Sequence, residues 1–176
     1  MHSPKVTVWC GSTGSFIIEP LFFETQRPVN GWKTVTANAQ RYLTLLLQKD
    51  VTCLLEKDVL STVTFMQDGA TSHTANPVKE FSIQTFGEKG IVSKCCKFPW
   101  HPRSPDLTPA DFRLWGYLKS RVYQFRPSNL SELKDVIRRE LSCIQPDILR
   151  SAVAGFVTRL KCVILCGGGH VEHILL

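Results

Sequence analysis

Apolar and polar positions alternate over residues 5–10 (Lys-Val-Thr-Val-Trp-Cys), the period of two that a half-buried strand requires. Residues 11–15 are small and polar and read as a turn, and the β-rich run 16–23 reads as a second strand, so the pair predicts a hairpin. Pro28, Asn30 and Gly31 mark 25–33 as a loop. From 37 to 47 the spacing becomes helical, with Ala39, Tyr42, Leu43, Leu46 and Leu47 on one stripe. A short apolar strand is expected at 62–67, ending at Asp68-Gly69. A helix is expected over 73–86, with Pro77 tolerated in its first turn. Residues 91–98 hold a possible strand.

Four prolines in 99–109 forbid regular helix or interior strand there. Residues 111–122 then place Phe112, Trp115 and Leu118 on one helical side. Asn129 with Glu132 forms a capping-box pattern for a helix whose apolar face is Leu130, Leu133, Ile137 and Leu141. Pro146 suits the first turn of a last helix, with Leu149, Val153, Phe156 and Leu160 as its face. The order predicts an α/β fold with a helical end, divided as 1–125 and a C-terminal helical extension 126–176.

With 176 residues, 43% hydrophobic and 20% charged, the chain is long enough for a real core and too apolar for wholesale disorder. No apolar run approaches the ~20 residues needed to span a bilayer, and the N-terminus lacks a signal-peptide layout, so an intracellular protein without a membrane partner is expected. Seven cysteines, an odd number, are expected to be reduced thiols. The formal charge is +6, compatible with a polyanionic partner. Seven basic residues (Arg113, Lys119, Arg121, Arg126, Lys134, Arg138, Arg139) against Glu132 and Asp135 concentrate a net +5 between 112 and 139. That segment reads either as a solvated helix face or as a phosphate-binding one.

Asp68 follows an apolar strand directly. Functional side chains gather beyond strand ends in open α/β sheets, and a carboxylate there needs a cation, a donor or solvent. A turn-initiating Asp-Gly is the plainer alternative. Asp111 opens a helix after the proline-rich loop, where an acid favoured by the helix dipole is the plainer alternative; Asp106 could cap or turn the chain just before it. Cys162, Cys166, His170 and His173 have the donor types for tetrahedral zinc, but the short middle gap and the Gly167–Gly169 run favour a helix end and tail. The adjacent Cys95 and Cys96 do not suit one metal, and the Gly167–Gly169 run is no phosphate loop. His73 lies either near an active site or at a helix start bonded to backbone. Trp100 and Trp115 read as anchors rather than base-stacking platforms.

Two blocks give these residues a context. Phe65-Met66-Gln67-Asp68-Gly69-Ala70-Thr71-Ser72-His73 resembles the region of the second catalytic acid in mariner/Tc1-type DNA transposases. Trp100-His101-Pro102-Arg103-Ser104-Pro105-Asp106-Leu107-Thr108-Pro109-Ala110-Asp111 resembles their W-P-x-x-S-P-D-L-x-P-x-(D/E) block, and Phe112 to Lys119 continues it. Pro4 to Gly11 is similar to the family's second sheet strand, and Gly168 to Leu176 to a common ending of insect-type members. The resemblance implies an RNase H-like fold and three acids that bind two divalent ions, Mg²⁺ or Mn²⁺, for DNA cleavage and strand transfer. Asp68 matches the second acid. Asp111, rather than Asp106, matches the third, since the family acid falls two residues after the block's second proline. The 42 intervening residues exceed the usual spacing and suggest a divergent branch.

The resemblance further implies DNA as partner, with Arg103, Arg113, Lys119 and Arg121 along phosphates, a possible homodimer, and a nuclear location. No acid precedes Trp9, and Glu19 falls at the wrong place in the order. The chain as written is therefore expected to lack the first, central strand with its acid, together with the helix-turn-helix region. Two readings follow: a metal-dependent DNA-cleaving domain by origin, and, for this chain, an inactive, non-enzymatic remnant that binds DNA or a partner protein.

Overall fold

The computed structural model describes residues 4–28, 31–100 and 107–168. Its elements run β1 (Val8–Trp9), β2 (Leu21–Phe22), β3 (Glu24–Arg27), β4 (Gly31–Thr34), α1 (Ala39–Leu45), a π-helical turn (Leu46–Val51), α2 (Thr52–Glu56), β5 (Phe65–Met66), α3 (Asn76–Phe86), β6 (Ile91–Val92), a second π-helical turn (Ala110–Trp115), α4 (Gly116–Gln124), α5 (Leu130–Ser142) and α6 (Pro146–Leu165). The chain forms two compact units. One comprises Thr7–Trp9 and Leu21–Arg103; the other comprises Met1–Val6, Cys10–Pro20 and Ser104–Leu176.

In the first unit, β1 and β2 pair antiparallel, Val8 opposite Phe22 and Trp9 opposite Leu21. The expected second strand over 16–23 is shorter than its composition suggests. The two-stranded ladder takes in Leu21–Phe22, while Ile17 forms a separate antiparallel bridge to Ser12; Pro20, between them, offers no backbone N–H. The loop expected over 25–33 is instead a second hairpin, β3 against β4, with Glu24 opposite Thr34 and Arg27 opposite Gly31. Pro28 and Gly31 do mark its tip, and Gly31 adopts φ +66°, which a residue without Cβ tolerates. Its strands are mostly polar and exposed, so no apolar alternation announced them.

α1 begins where Asn38 accepts a hydrogen bond from the Arg41 N–H at 2.9 Å, a side-chain cap. The helical run then passes through the π-helical turn into α2, well beyond the expected end at 47. β5 and β6 pair in parallel, with Phe65 N–H donating to Gly90 O at 2.8 Å and Gln67 N–H to Val92 O at 3.1 Å. α3 connects them, and Pro77 sits in its first turn as expected. The core is Phe23, Tyr42, Leu45, Leu46 and Val78, ringed by Trp9, Leu21, Val35, Phe65 and Phe81. Each such buried side chain contributes roughly 1.5–3 kcal/mol relative to exposure.

In the second unit, α4 packs on α5 and α6 on the π-helical turn Ala110–Trp115. Its core includes Ile18, Leu118, Val122, Leu133, Ile137, Leu141 and Leu149. The capping pattern is present: Asn129 Oδ1 accepts from the Glu132 N–H at 2.9 Å, while Glu132 accepts from the Ser128 N–H at 2.7 Å. α6 differs from its expected face. Leu149 and Ala152 are buried, whereas Val153 is 46% and Leu160 37% exposed. The side chain of Phe112 lies outside the described residues. No described helix is long and apolar enough to cross a membrane.

Candidate active site

Asp68 leaves the C-terminal end of β5, where the ladder stops and the chain turns through Gly69. Its Oδ1 accepts the Ala70 N–H at 3.0 Å, a local turn that fixes the carboxylate relative to its own backbone. The same oxygen lies 2.5 Å from His73 Nδ1. The His73 hydrogen bond, aided by the Ala70 N–H, holds the Asp68 carboxyl below the usual carboxylate range against an opposing effect of burial. Asp68 is therefore ionised, and Nδ1 of His73 must be the donor. The Asp68 side chain remains half exposed.

A buried polar network stands behind this pair. The His73 ring lies on the Tyr42 ring, with centroids 4.2 Å apart and planes tilted 30°. The Tyr42 hydroxyl donates to Gln67 Oε1 at 3.0 Å. Gln67 Nε2 in turn donates to the His73 carbonyl at 3.0 Å and to Ser93 Oγ at 3.1 Å. Burial first, then the charges of Asp50 and Asp68, push the Tyr42 hydroxyl up, so it stays protonated and serves as a donor. Sequence reasoning singled out Asp68 and His73 but took Tyr42 only as a helical apolar position. The phenol at that apolar position, with an amide ending the strand, was the available signal for the network.

Asp50 was also missed. It lies in the π-helical turn, 2% exposed, and neither carboxylate oxygen has a hydrogen-bond partner among the described residues. Burial raises its pKa to about 8. A cavity of about 590 Å³ opens at the other end of β5, lined by Thr62, Thr64, Thr85, Phe86 and Lys89 among others, away from Asp68.

Asp111 is exposed in the first turn of the π-helical segment Ala110–Trp115, its N–H bonded to Thr108 O at 2.9 Å. Asp68 and Asp111 belong to different units. Among the described residues no three His, Cys, Asp or Glu side chains gather as a metal-holding group. Cys162 and Cys166 carry no disulfide, and the other cysteines are free as expected; His170 and His173 lie outside the described residues. So do Arg103 and Asp106.

Arg113 and Lys119 are exposed, and Arg113 Nη2 reaches Ser151 Oγ at 3.4 Å. Arg121 is engaged: its Nε donates to the buried Glu140 at 3.0 Å, which raises the guanidinium pKa further. Arg139 also bonds Glu140 and lies over the Phe125 ring at 4.1 Å, and Arg138 pairs with Asp135. Part of the basic segment thus serves the packing of the helices.

No family model matches the sequence, and no curated protein matches it. Solved structures do. The Mos1 transposase catalytic domain with raltegravir and Mn superposes with a TM-score of 0.76, covering 98% of this chain and 80% of that one at 19% identity. The catalytic domain of Mos1 mariner transposase gives a TM-score of 0.77, covering 98% and 78% at 18% identity. The fold is that of the mariner transposase catalytic domain. The Mos1 mariner paired end complex with Mn also matches, at a TM-score of 0.76 and 16% identity, but there this chain spans 45% of the longer protein. The α/β, RNase H-like architecture expected from the sequence is thereby borne out, and the likeness in fold covers 98% of this chain.

Proposed function

We propose that this chain acts on DNA as a transposase-type domain, with Asp68 and Asp111 as oxygen ligands for divalent cations, Mg²⁺ or Mn²⁺. The observation that carries the proposal is Asp68. It is an ionised carboxylate at a strand end, held by two local donors and half open to solvent, on the mariner transposase fold. Hard oxygen donors of this kind suit Mg²⁺ and Mn²⁺. When bound in such a site, divalent ions polarise phosphoryl oxygens and ease ionisation of water.

The chain's own residues hold and orient. Asp68 is pinned by His73 and Ala70, and Asp111 supplies a second exposed carboxylate. Arg113 and Lys119, with Arg103 in the Ser-Pro-Asp block, offer cationic groups to backbone phosphates. Solved transposase complexes that share the fold contain transposon ends, which supports DNA as the partner.

The test is cleavage of plasmid DNA by the purified chain with Mg²⁺ or Mn²⁺, beside Asp68→Ala and Asp111→Ala. Salt-sensitive DNA binding is expected in the wild type and both variants, and any metal-dependent nicking by the wild type is expected to be lost in both. Cleavage that survives Asp68→Ala overturns the assignment. A folded chain that binds DNA without cutting it would establish the non-enzymatic reading instead.

A further inference from the structure

We infer that His73 is a positioning residue, holding the Asp68 carboxylate in one rotamer so that its second oxygen is presented outward for a cation. The inference rests on the metal-binding reading of Asp68. Its evidence is the way every neighbour restrains the imidazole. The ring is stacked on Tyr42, which is 1% exposed and anchored in the core of its unit. The backbone of His73 is held by Gln67 Nε2, and Gln67 is itself held between the Tyr42 hydroxyl and Ser93 Oγ.

Tyr42 lies in α1, and Gln67 and Ser93 follow the ends of β5 and β6, so ring and backbone of His73 are held, directly or through Gln67, by three other parts of one unit. A histidine that merely started a helix would need none of them. With Oδ1 of Asp68 shared between the Ala70 N–H and His73 Nδ1, the carboxylate cannot rotate without losing both bonds. Outer partners of this kind orient metal-binding side chains, and their loss typically costs 10–100-fold in metal affinity.

The experiment is calorimetric titration of the whole chain with Mn²⁺ at fixed pH, for wild type, Asp68→Ala, His73→Ala, His73→Asn and His73→Gln. Each variant is first checked for folding by circular dichroism. Asparagine keeps an N–H donor near the position of Nδ1, whereas glutamine places its donor near Nε2. Mn²⁺ affinity is expected to fall 10–100-fold in His73→Ala and His73→Gln and to stay within a few-fold of wild type in His73→Asn. A purely structural histidine would not separate asparagine from glutamine in that order.

If Asp68→Ala abolishes binding while all three His73 variants bind as wild type, the positioning role is refuted and the metal reading stands. If wild type fails to bind, or Asp68→Ala binds unchanged, the metal reading falls and the positioning role with it. Should His73→Ala not fold, the asparagine and glutamine pair decides.

Discussion

Replacing Asp50 with leucine is expected to stabilise the chain at neutral pH and to remove a slope from its stability profile. The Asp50 carboxyl is buried without a hydrogen-bond partner among the described residues, and its pKa rises from 3.8 to about 8 on folding. The folded state therefore holds a proton that the unfolded state has released between those two values. By linkage, stability is highest below the unfolded value, declines by about 1.4 kcal/mol per pH unit as pH rises, and levels off above the folded value. At pH 7 the accumulated cost is about 4 kcal/mol, a large fraction of a typical domain's stability. Because the group is 2% exposed, solvent screening gives little relief. The assay is urea unfolding from pH 5 to pH 8 for wild type, Asp50→Leu and Asp50→Asn, read as differences between variants so that other titrations cancel. The advantage of both variants should grow with pH across that window. A difference that stays constant from pH 5 to pH 8 would refute the reasoning.

Gly90→Ala should destabilise by at least about 2 kcal/mol in the same assay, since a Cβ there would lie 2.1 Å from the Phe86 carbonyl oxygen, a backbone atom that cannot step aside. Asn129→Ala should cost about 1 kcal/mol by removing the cap of α5, while Asn129→Asp should preserve it. The Asp68 carboxyl, held low by His73, contributes stability that is present above the ordinary carboxylate range and is lost as pH falls through its depressed folded value. Asp68→Asn should flatten that acid-side slope, measured as unfolding midpoint between pH 5 and pH 2.

Residues whose burial follows a simple period were legible from sequence. The stripe through Tyr42 and Leu46, the capped start of α5 and Pro77 inside α3 all appear where spacing and capping chemistry place them. The β3–β4 hairpin was not legible, because a polar exposed hairpin buries little and leaves no alternation to read. At the candidate site, Asp68 and His73 stood out through their motif. The network behind them depends on a tyrosine and a glutamine 25 residues apart, and such long-range pairing has no local signature. Val153 and Leu160 show the reverse failure: a helical period marks a face, but whether that face is covered depends on what packs there.

The π-helical turn at Leu46–Val51 carries an implication for sequence comparison. In an unbroken α-helix the eight steps from Leu46 to Leu54 leave the two side chains about 80° apart around the axis. A turn that takes in one further residue turns the later positions back by about 100°, which returns Leu54 to the inward side. The helix thus carries a one-residue phase correction in its middle. Against a relative whose helix runs without it, an ungapped alignment would pair every residue after the turn one place out of step. Structural superposition is insensitive to that slip, whereas percent identity is not.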